Sequence, residues 1–301
     1  MPVVTPLCLA ARSKLGYLVR GMSTTSAAAT KLIRFLDAYG NERIGQAPAP
    51  GTYQSQLITG KDVFGSKALT SQFAEVRRVL APFVPTQIIG IGLNYRNHAK
   101  ETNMPIPNYP VVFYKNINSV ADPETSIVLP RREGSHVDYE CELAVVLKAP
   151  CKDVSVQDAL KFVAGYTCAN DVSARRWQGN AMGGGQWCRA KSFDTFCPLG
   201  PVLVTPEGIP DPQNLTIETI LNDVVVQRSN TKDMVFSVAE LISQLSQDTT
   251  LPAGTVILTG TPEGVGFTRK PPLYLKPGDK VEIRIQHIGS LLNYVIGASS
   301  L

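Results

Sequence analysis

An α+β fold with a dominant antiparallel or mixed sheet is what this 301-residue sequence predicts. Short β-rich runs bounded by turn residues recur along the chain: Ile88–Leu93, 137–147, Pro201–Thr205, Leu215–Leu221, Val224–Gln227, Thr255–Thr259 and Val281–Ile285, the last with clean two-residue alternation. Helix signals are fewer and local, namely the capping boxes Ser155-Val156-Gln157-Asp158 and Ser237-Val238-Ala239-Glu240. No internal repeat appears. A chain of this length with 44% hydrophobic residues fits one large domain, or one large and one small, once a leader is set aside.

Residues 1–29 read as that leader. The first 36 residues hold Arg12, Lys14, Arg20, Lys31 and Arg34 and no acid, are rich in Ser, Thr and Ala, and space Leu7, Ala11, Leu15, Leu18 and Met22 along one side of a helix. The pattern is that of a mitochondrial transit peptide, which places the mature chain in the mitochondrial matrix. A secretory signal using Val3–Ala11 is the alternative, but no basic residue precedes that run and a proline interrupts it. Cleavage between Arg20 and Ala29 fits Arg20-Gly21-Met22-Ser23.

Residues 30–84 are predicted as a small N-terminal domain. It has an amphipathic start at Lys31–Tyr39, a Pro/Gly-broken stretch at Gln46–Gly51, and a helix over Ser66–Leu80 with Leu69, Phe73, Val76 and Leu80 on one side. Pro82 and Pro85 punctuate the chain before the buried strand Ile88–Leu93, where the main domain, residues 85–299, begins. The helix opened at Ser155 closes at Gly165 in the usual C-terminal position, and Asp171 follows the strand that leaves it. Phe236 and Leu241 form a hydrophobic staple for a helix over Val238–Gln247.

The net charge of +4 comes from the first 36 residues; residues 37–301 carry 24 basic and 25 acidic side chains, and no basic patch argues for nucleic acid. No apolar run approaches the roughly eighteen residues of a membrane helix. The cysteines Cys8, Cys141, Cys151, Cys168, Cys188 and Cys197 form no C-x-x-C pair and read as reduced, mostly buried thiols.

Glu140 and Glu142 carry the chemistry. In a strand over 137–147 alternate side chains share a face, so the two carboxylates point one way and Tyr139, Cys141 and Leu143 the other. The apolar run Leu143–Leu147 indicates burial on both faces, and buried carboxylates one pleat apart require a compensating charge. With Asp171 as a third oxygen donor and no His or Cys beside them in the sequence, a hard cation (Mg2+, Mn2+ or Ca2+) suits the set better than Zn2+. A solvated acidic face is the ordinary alternative for a lone Glu-x-Glu.

Other motifs are weaker. Gly90-x-Gly92 opens like a dinucleotide fingerprint, but its third glycine position is Tyr95, so it reads as a tight strand exit. Gly260–Gly266, directly after a strand, can aim backbone N–H groups and the Thr261 hydroxyl at a carboxylate or phosphate. Gly183-Gly184-Gly185 lies between Trp177 and Trp187 and is either a plain loop or one that closes over a ligand. His98 and Glu101 are spaced to meet on one helical turn, where the carboxylate would orient the imidazole as a general base; a surface pair is the bland reading.

Taken together, 92–101 (Gly-Leu-Asn-Tyr-Arg-Asn-His-Ala-Lys-Glu), 138–146 (Asp-Tyr-Glu-Cys-Glu-Leu-Ala-Val-Val), 170–175 (Asn-Asp-Val-Ser-Ala-Arg), 190–196 (Ala-Lys-Ser-Phe-Asp-Thr-Phe) and 259–266 (Thr-Gly-Thr-Pro-Glu-Gly-Val-Gly) resemble the fumarylacetoacetate hydrolase superfamily, and most nearly its eukaryotic mitochondrial members. The resemblance covers roughly residues 85–296. It implies a β-roll-like mixed-sheet catalytic domain of the fumarylacetoacetate hydrolase C-terminal type, usually homodimeric, binding Mg2+ or Mn2+ beside the substrate pocket. Carried over by motif, Glu140, Glu142 and Asp171 are metal ligands, Lys191 is the active-site lysine, and His98 and Glu101 are the dyad that activates water. Thr261 holds the substrate carboxylate, and Lys115 occupies a pocket position.

Such a toolkit acts on 2-oxo acids through an enolate next to the carbonyl. The resemblance favours oxaloacetate keto–enol tautomerisation. Hydrolysis of an acylpyruvate or other diketo acid, or oxaloacetate decarboxylation, is the alternative that the His98–Glu101 dyad keeps open. A metal-stabilised scaffold without catalysis is the non-enzymatic alternative, and Lys191, His98 and Glu101 argue against it.

Overall fold

The structure of the protein, a computed structural model, describes residues 31–65, 68–132 and 134–298. The predicted leader and Cys8 lie outside the described residues.

Strand Cys141–Leu147 is the axis of the molecule, and every one of its residues is buried. Cys141, Leu143, Val145 and Leu147 enter one core, while Ala144 and Val146 enter another on the opposite face. An apolar run of this kind therefore marks a strand covered on both sides. It pairs antiparallel with Val163–Asn170 on one edge and with Thr255–Leu258 on the other. Beyond Thr255–Leu258 lies Gln87–Gly92, in parallel, and then the edge strand Val111–Lys115. On the other side the sheet continues through Cys197–Val204 to Lys31–Leu36, Glu42–Gln46, Gln54–Ile58 and Leu69–Glu75, reaching twelve strands. Residues 31–80 are thus hydrogen-bonded into the large sheet, and Ile33, Phe35 and Val76 share its core.

A five-stranded sheet, ordered Val224–Asn230, Thr216–Leu221, Lys280–Ile285, Gly289–Gly297 and Ser126–Leu129, packs on the Cys141–Leu147 face through Ile217, Ile283, Ile285 and Leu291. The mixed α+β character expected from the sequence is the one observed, with large sheets that do not close into a barrel.

Several elements fall where the sequence puts them. The helix Val238–Ser246 has both hydrogen bonds of its capping box, and buries Val238, Leu241 and Ile242. The segment predicted as a helix over Ser66–Leu80 is instead the strands Leu69–Glu75 and Arg78–Leu80. Its supposed apolar face is split: Val76 and Leu80 are buried, but Leu69 is 45% and Phe73 61% exposed. The ladder offered by Gln54–Ile58 decides the conformation, because a three- to four-residue spacing that buries only half of its apolar positions does not hold a helix against strand pairing.

The element opened by Ser155 is short, a helical turn over Val156–Ala159 followed by a 3-10 turn over Leu160–Phe162. Gly165 does not cap it but lies inside strand Val163–Asn170. A Cβ there would come within 2.5 Å of the Val204 carbonyl oxygen, so close strand approach is what requires glycine.

Candidate active site

The predicted strand over 137–147 is broken where it matters. Val137–Asp138 pairs with Ser173–Ala174 in a separate ribbon, Tyr139 and Glu140 pass between, and the ladder begins at Cys141. The break is stitched by Glu140 N–H to Asn170 Oδ1 (3.1 Å) and Asp171 N–H to Glu140 O (2.9 Å). Glu140, Glu142 and Asp171 each present a ligand oxygen so that all lie within 4.8 Å of one another, and all three are buried.

Around this trio the chain supplies cations. The buried Lys191 ammonium touches Glu140 Oε2 at 2.7 Å, Asp171 Oδ2 at 2.5 Å and Ser173 Oγ at 2.8 Å. Lys115 Nζ donates to Asp171 Oδ1 at 2.6 Å, both side chains fully enclosed. Arg175 pairs with Glu140 (2.7 Å) and with buried Asp138 (2.9 Å). Four carboxylates (Asp138, Glu140, Glu142, Asp171) thus face three cations (Lys115, Lys191, Arg175).

Glu142 is the carboxylate without a cationic contact; it accepts a hydrogen bond from Gly260 N–H at 2.6 Å. Burial, with the neighbouring Asp171 and Glu140 charges, raises its pKa well above the carboxylate range. Burial also opposes ionisation of Glu140, but Lys191 and Arg175 outweigh it and hold that group down to about 2. Lys191 is likewise pushed down by burial and pulled up further by Asp171 and Glu140, so its net shift is upward and it stays charged. An oxygen-only set with one excess buried negative charge fits a hard divalent cation, which would turn the cluster's net charge from negative to positive and suit it to an anionic ligand.

The other predicted residues are joined to this centre by the 259–268 loop. Thr261, directly after the glycine that binds Glu142, is buried, and its Oγ1 accepts from Gln227 Nε2 at 2.9 Å. His98 sits on the helix Arg96–Glu101 with Nδ1 at 3.0 Å from Glu101 Oε2. With Nδ1–H donated to that carboxylate, a neutral imidazole presents Nε2 as an acceptor. Glu101 also takes Gly264 N–H and the Thr268 hydroxyl, each at 2.9 Å, so it orients the histidine and anchors the loop at once. Asn94, fully buried, donates to Thr259 O at 2.7 Å and to Phe236 O at 3.1 Å and accepts from Phe236 N–H at 2.8 Å, fixing the exit of strand Gln87–Gly92 against the loop.

Trp187 lies beside this centre, 5.8 Å from the Phe113 ring and so close to Gly92 that a Cβ there would meet it at 2.7 Å. The Lys191 ammonium lies 4.7 Å from the centroid of the same phenylalanine ring. Trp177 packs on Phe193 instead. All of Gly183, Gly184 and Gly185 have positive φ, which explains a glycine run between the tryptophans.

Sequence reasoning gave no role to Asp138, Arg175 or Gln227. Arg175 was within sight, at the end of a motif that holds Asp171; Gln227 was not, because the partners that tie it to the site, Thr261 and Cys141, lie 34 and 86 residues away. Cys141, Cys151, Cys168 and Cys197 are buried free thiols and Cys188 is exposed. Among the described residues no helix is long and apolar enough to cross a membrane.

Comparison with known proteins agrees with this architecture. Residues 87–296 match the model of the fumarylacetoacetate (FAA) hydrolase C-terminal family. The mitochondrial oxaloacetate tautomerase Fahd2a of Rattus norvegicus is 46% identical over 235 residues, 76% of this chain and 74% of that protein. The mitochondrial oxaloacetate tautomerase fahd2 of Xenopus laevis is 48% identical over 244 residues, 81% of this chain and 76% of its own length. Among solved structures, a 5-carboxymethyl-2-hydroxymuconate delta-isomerase from Mycobacterium smegmatis superposes with a TM-score of 0.77 at 37% identity, covering 89% of this chain and 99% of that one. With a family match over most of its length and relatives near half identity, the chain belongs to the fumarylacetoacetate hydrolase family.

Proposed function

We propose that this chain is an oxaloacetate keto–enol tautomerase of the mitochondrial matrix, working as a homodimer with Mg2+ at Glu140, Glu142 and Asp171. The observation that carries the reading is a buried carboxylate trio, one member lacking a countercharge, beside two buried lysines and a carboxylate-bound histidine. The rat and frog relatives, named as oxaloacetate tautomerases, support oxaloacetate as the substrate.

A divalent cation at the trio would supply a Lewis acid for the carboxylate and keto oxygens of a 2-oxo acid. The charged Lys191 favours negative charge developing on the keto oxygen. His98 Nε2 takes the proton from C3 to give the enolate, and a proton returned to oxygen gives the enol; run backwards, the same groups make the keto form. Lys191 is the second group able to carry that proton. Thr261 holds the substrate carboxylate, and Lys115 keeps Asp171 in place.

Hydrolysis of an acylpyruvate is the second reading, favoured by His98 and Glu101, which could equally direct a water at a carbonyl carbon. The two chemistries separate in one experiment: purified protein with Mg2+, given enol-oxaloacetate in deuterated water and, separately, acylpyruvates. Tautomerisation consumes the enol absorbance and puts deuterium at C3 with no carbon–carbon cleavage, and Lys191→Ala is then more damaging than His98→Ala, because Lys191 both stabilises the charge developing on the keto oxygen and offers an alternative acid–base group when His98 is lost. A hydrolase loses on the order of a hundredfold or more with His98→Ala. Stoichiometric pyruvate at the rate of enol loss would refute the tautomerase assignment.

A further inference from the structure

The structure assigns Gln227 as the positioning residue that sets the direction of the Thr261 hydroxyl hydrogen, and with it the preference of that hydroxyl for an acceptor-only oxygen of the ligand. Gln227 is 1% exposed on strand Val224–Asn230, outside every motif of the site. Its Oε1 accepts from Cys141 N–H at 3.0 Å and from the Thr219 hydroxyl at 2.7 Å. Its Nε2 donates to Pro262 O and to Thr261 Oγ1, each at 2.9 Å.

The orientation of this amide is fixed by its backbone partners, since an N–H can only donate and a carbonyl can only accept. Both amide hydrogens are therefore spent on the 261–262 segment. Thr261 Oγ1 is an acceptor toward Gln227, so its own hydrogen points away from the amide. A hydroxyl held this way donates to what enters the site: it welcomes a carboxylate oxygen and disfavours a hydroxyl or amide N–H at the same place. The same side chain braces Cys141, the residue between Glu140 and Glu142, so donor and ligand trio share one buried support.

The inference rests on the reading of Thr261 as a substrate-carboxylate contact, and a double-mutant cycle separates the two. Gln227→Glu keeps the shape and the acceptor for Cys141 and Thr219 but turns the donor into an acceptor, so the Thr261 hydroxyl rotates to donate inward. With Mg2+ and enol-oxaloacetate, KM should rise about tenfold or more while kcat falls less, as expected for losing one hydrogen bond to a charged group. Calorimetric affinity for oxalate, which carries the same carboxylate beside an oxygen, should fall in parallel. In a Thr261→Val background Gln227→Glu should change KM by less than about twofold.

An equal loss in both backgrounds would mean that the new charge, not the hydroxyl direction, is responsible, and would overturn the proposal. If Thr261→Val alone leaves KM unchanged, the carboxylate-contact reading fails and the proposal falls with it. Should Gln227→Glu not fold, Gln227→Met, uncharged and of similar length, enters the same cycle, with a severalfold rise in KM expected only when Thr261 is present. If neither variant folds, Gln227 belongs to the scaffold alone and the proposal is overturned.

Discussion

Glu142 concentrates the electrostatic problem of the site in one residue. Removing it leaves two carboxylates already paired with Lys115, Lys191 and Arg175, too little free charge for a hard ion. Glu142→Ala should therefore abolish measurable Mg2+ binding by calorimetry and most activity, and EDTA should do the same to the wild type; full activity after chelation would contradict the assignment. Glu101 gives the pH dependence. Burial raises its pKa, but the bonds from His98, Gly264 and Thr268 outweigh this and the net shift is downward. A carboxyl group depressed in the fold stabilises above its unfolded pKa, near 4.3, and that contribution fades as pH falls through the folded value. Glu101→Gln should thus unfold at lower temperature than the wild type at pH 6–8, with the gap closing below about pH 4; a gap independent of pH would point to packing instead. Glu140 and Glu142 were legible because their spacing and the burial of the adjoining apolar run are local properties of 137–147, and Asp171 because it sits in a motif of its own. Lys115 and Lys191 were reached through the family resemblance, but Arg175 and the pairing of carboxylate with cation were not legible, because Arg175 reaches Asp138 across 37 residues and Lys115 reaches Asp171 across 56.

Among the elements, helix Val238–Ser246 follows its local signals, whereas strand Leu69–Glu75 and the end of the helix opened at Ser155 are decided by partners elsewhere in the chain. Helix Val238–Ser246 declares itself in four residues, and both bonds of its capping box form. Replacing Ser237 by Ala should cost about 1 kcal/mol and lower Tm by about 2–4 °C, read by calorimetry, with little effect on KM since the helix packs away from the ligand trio. Strand Leu69–Glu75 carries a helix-like spacing yet pairs with Gln54–Ile58, a partner no local window reveals. Gly165 misleads in the same way: its reason for being glycine is the Val204 carbonyl on the neighbouring strand.

For the molecule as a whole, the acid-free leader predicts that the chain recovered from mitochondria begins between Arg20 and Ala29; N-terminal sequencing that finds Met1 on the mitochondrial pool would count against import by cleavage. The arrangement of the sheet carries one more consequence. Glu142, Asp171 and the Gly260–Thr261 turn hang from three adjacent strands, with Cys141–Leu147 in the middle and Val163–Asn170 and Thr255–Leu258 zipped to its edges. Spreading these groups apart requires unzipping the centre of the sheet, an opening whose free energy approaches that of unfolding the whole chain. Amide protons on these strands should exchange with solvent only through that global event. Heat should then destroy catalysis and tertiary structure at the same temperature, with no range in which the chain is folded but its ligand trio is lost.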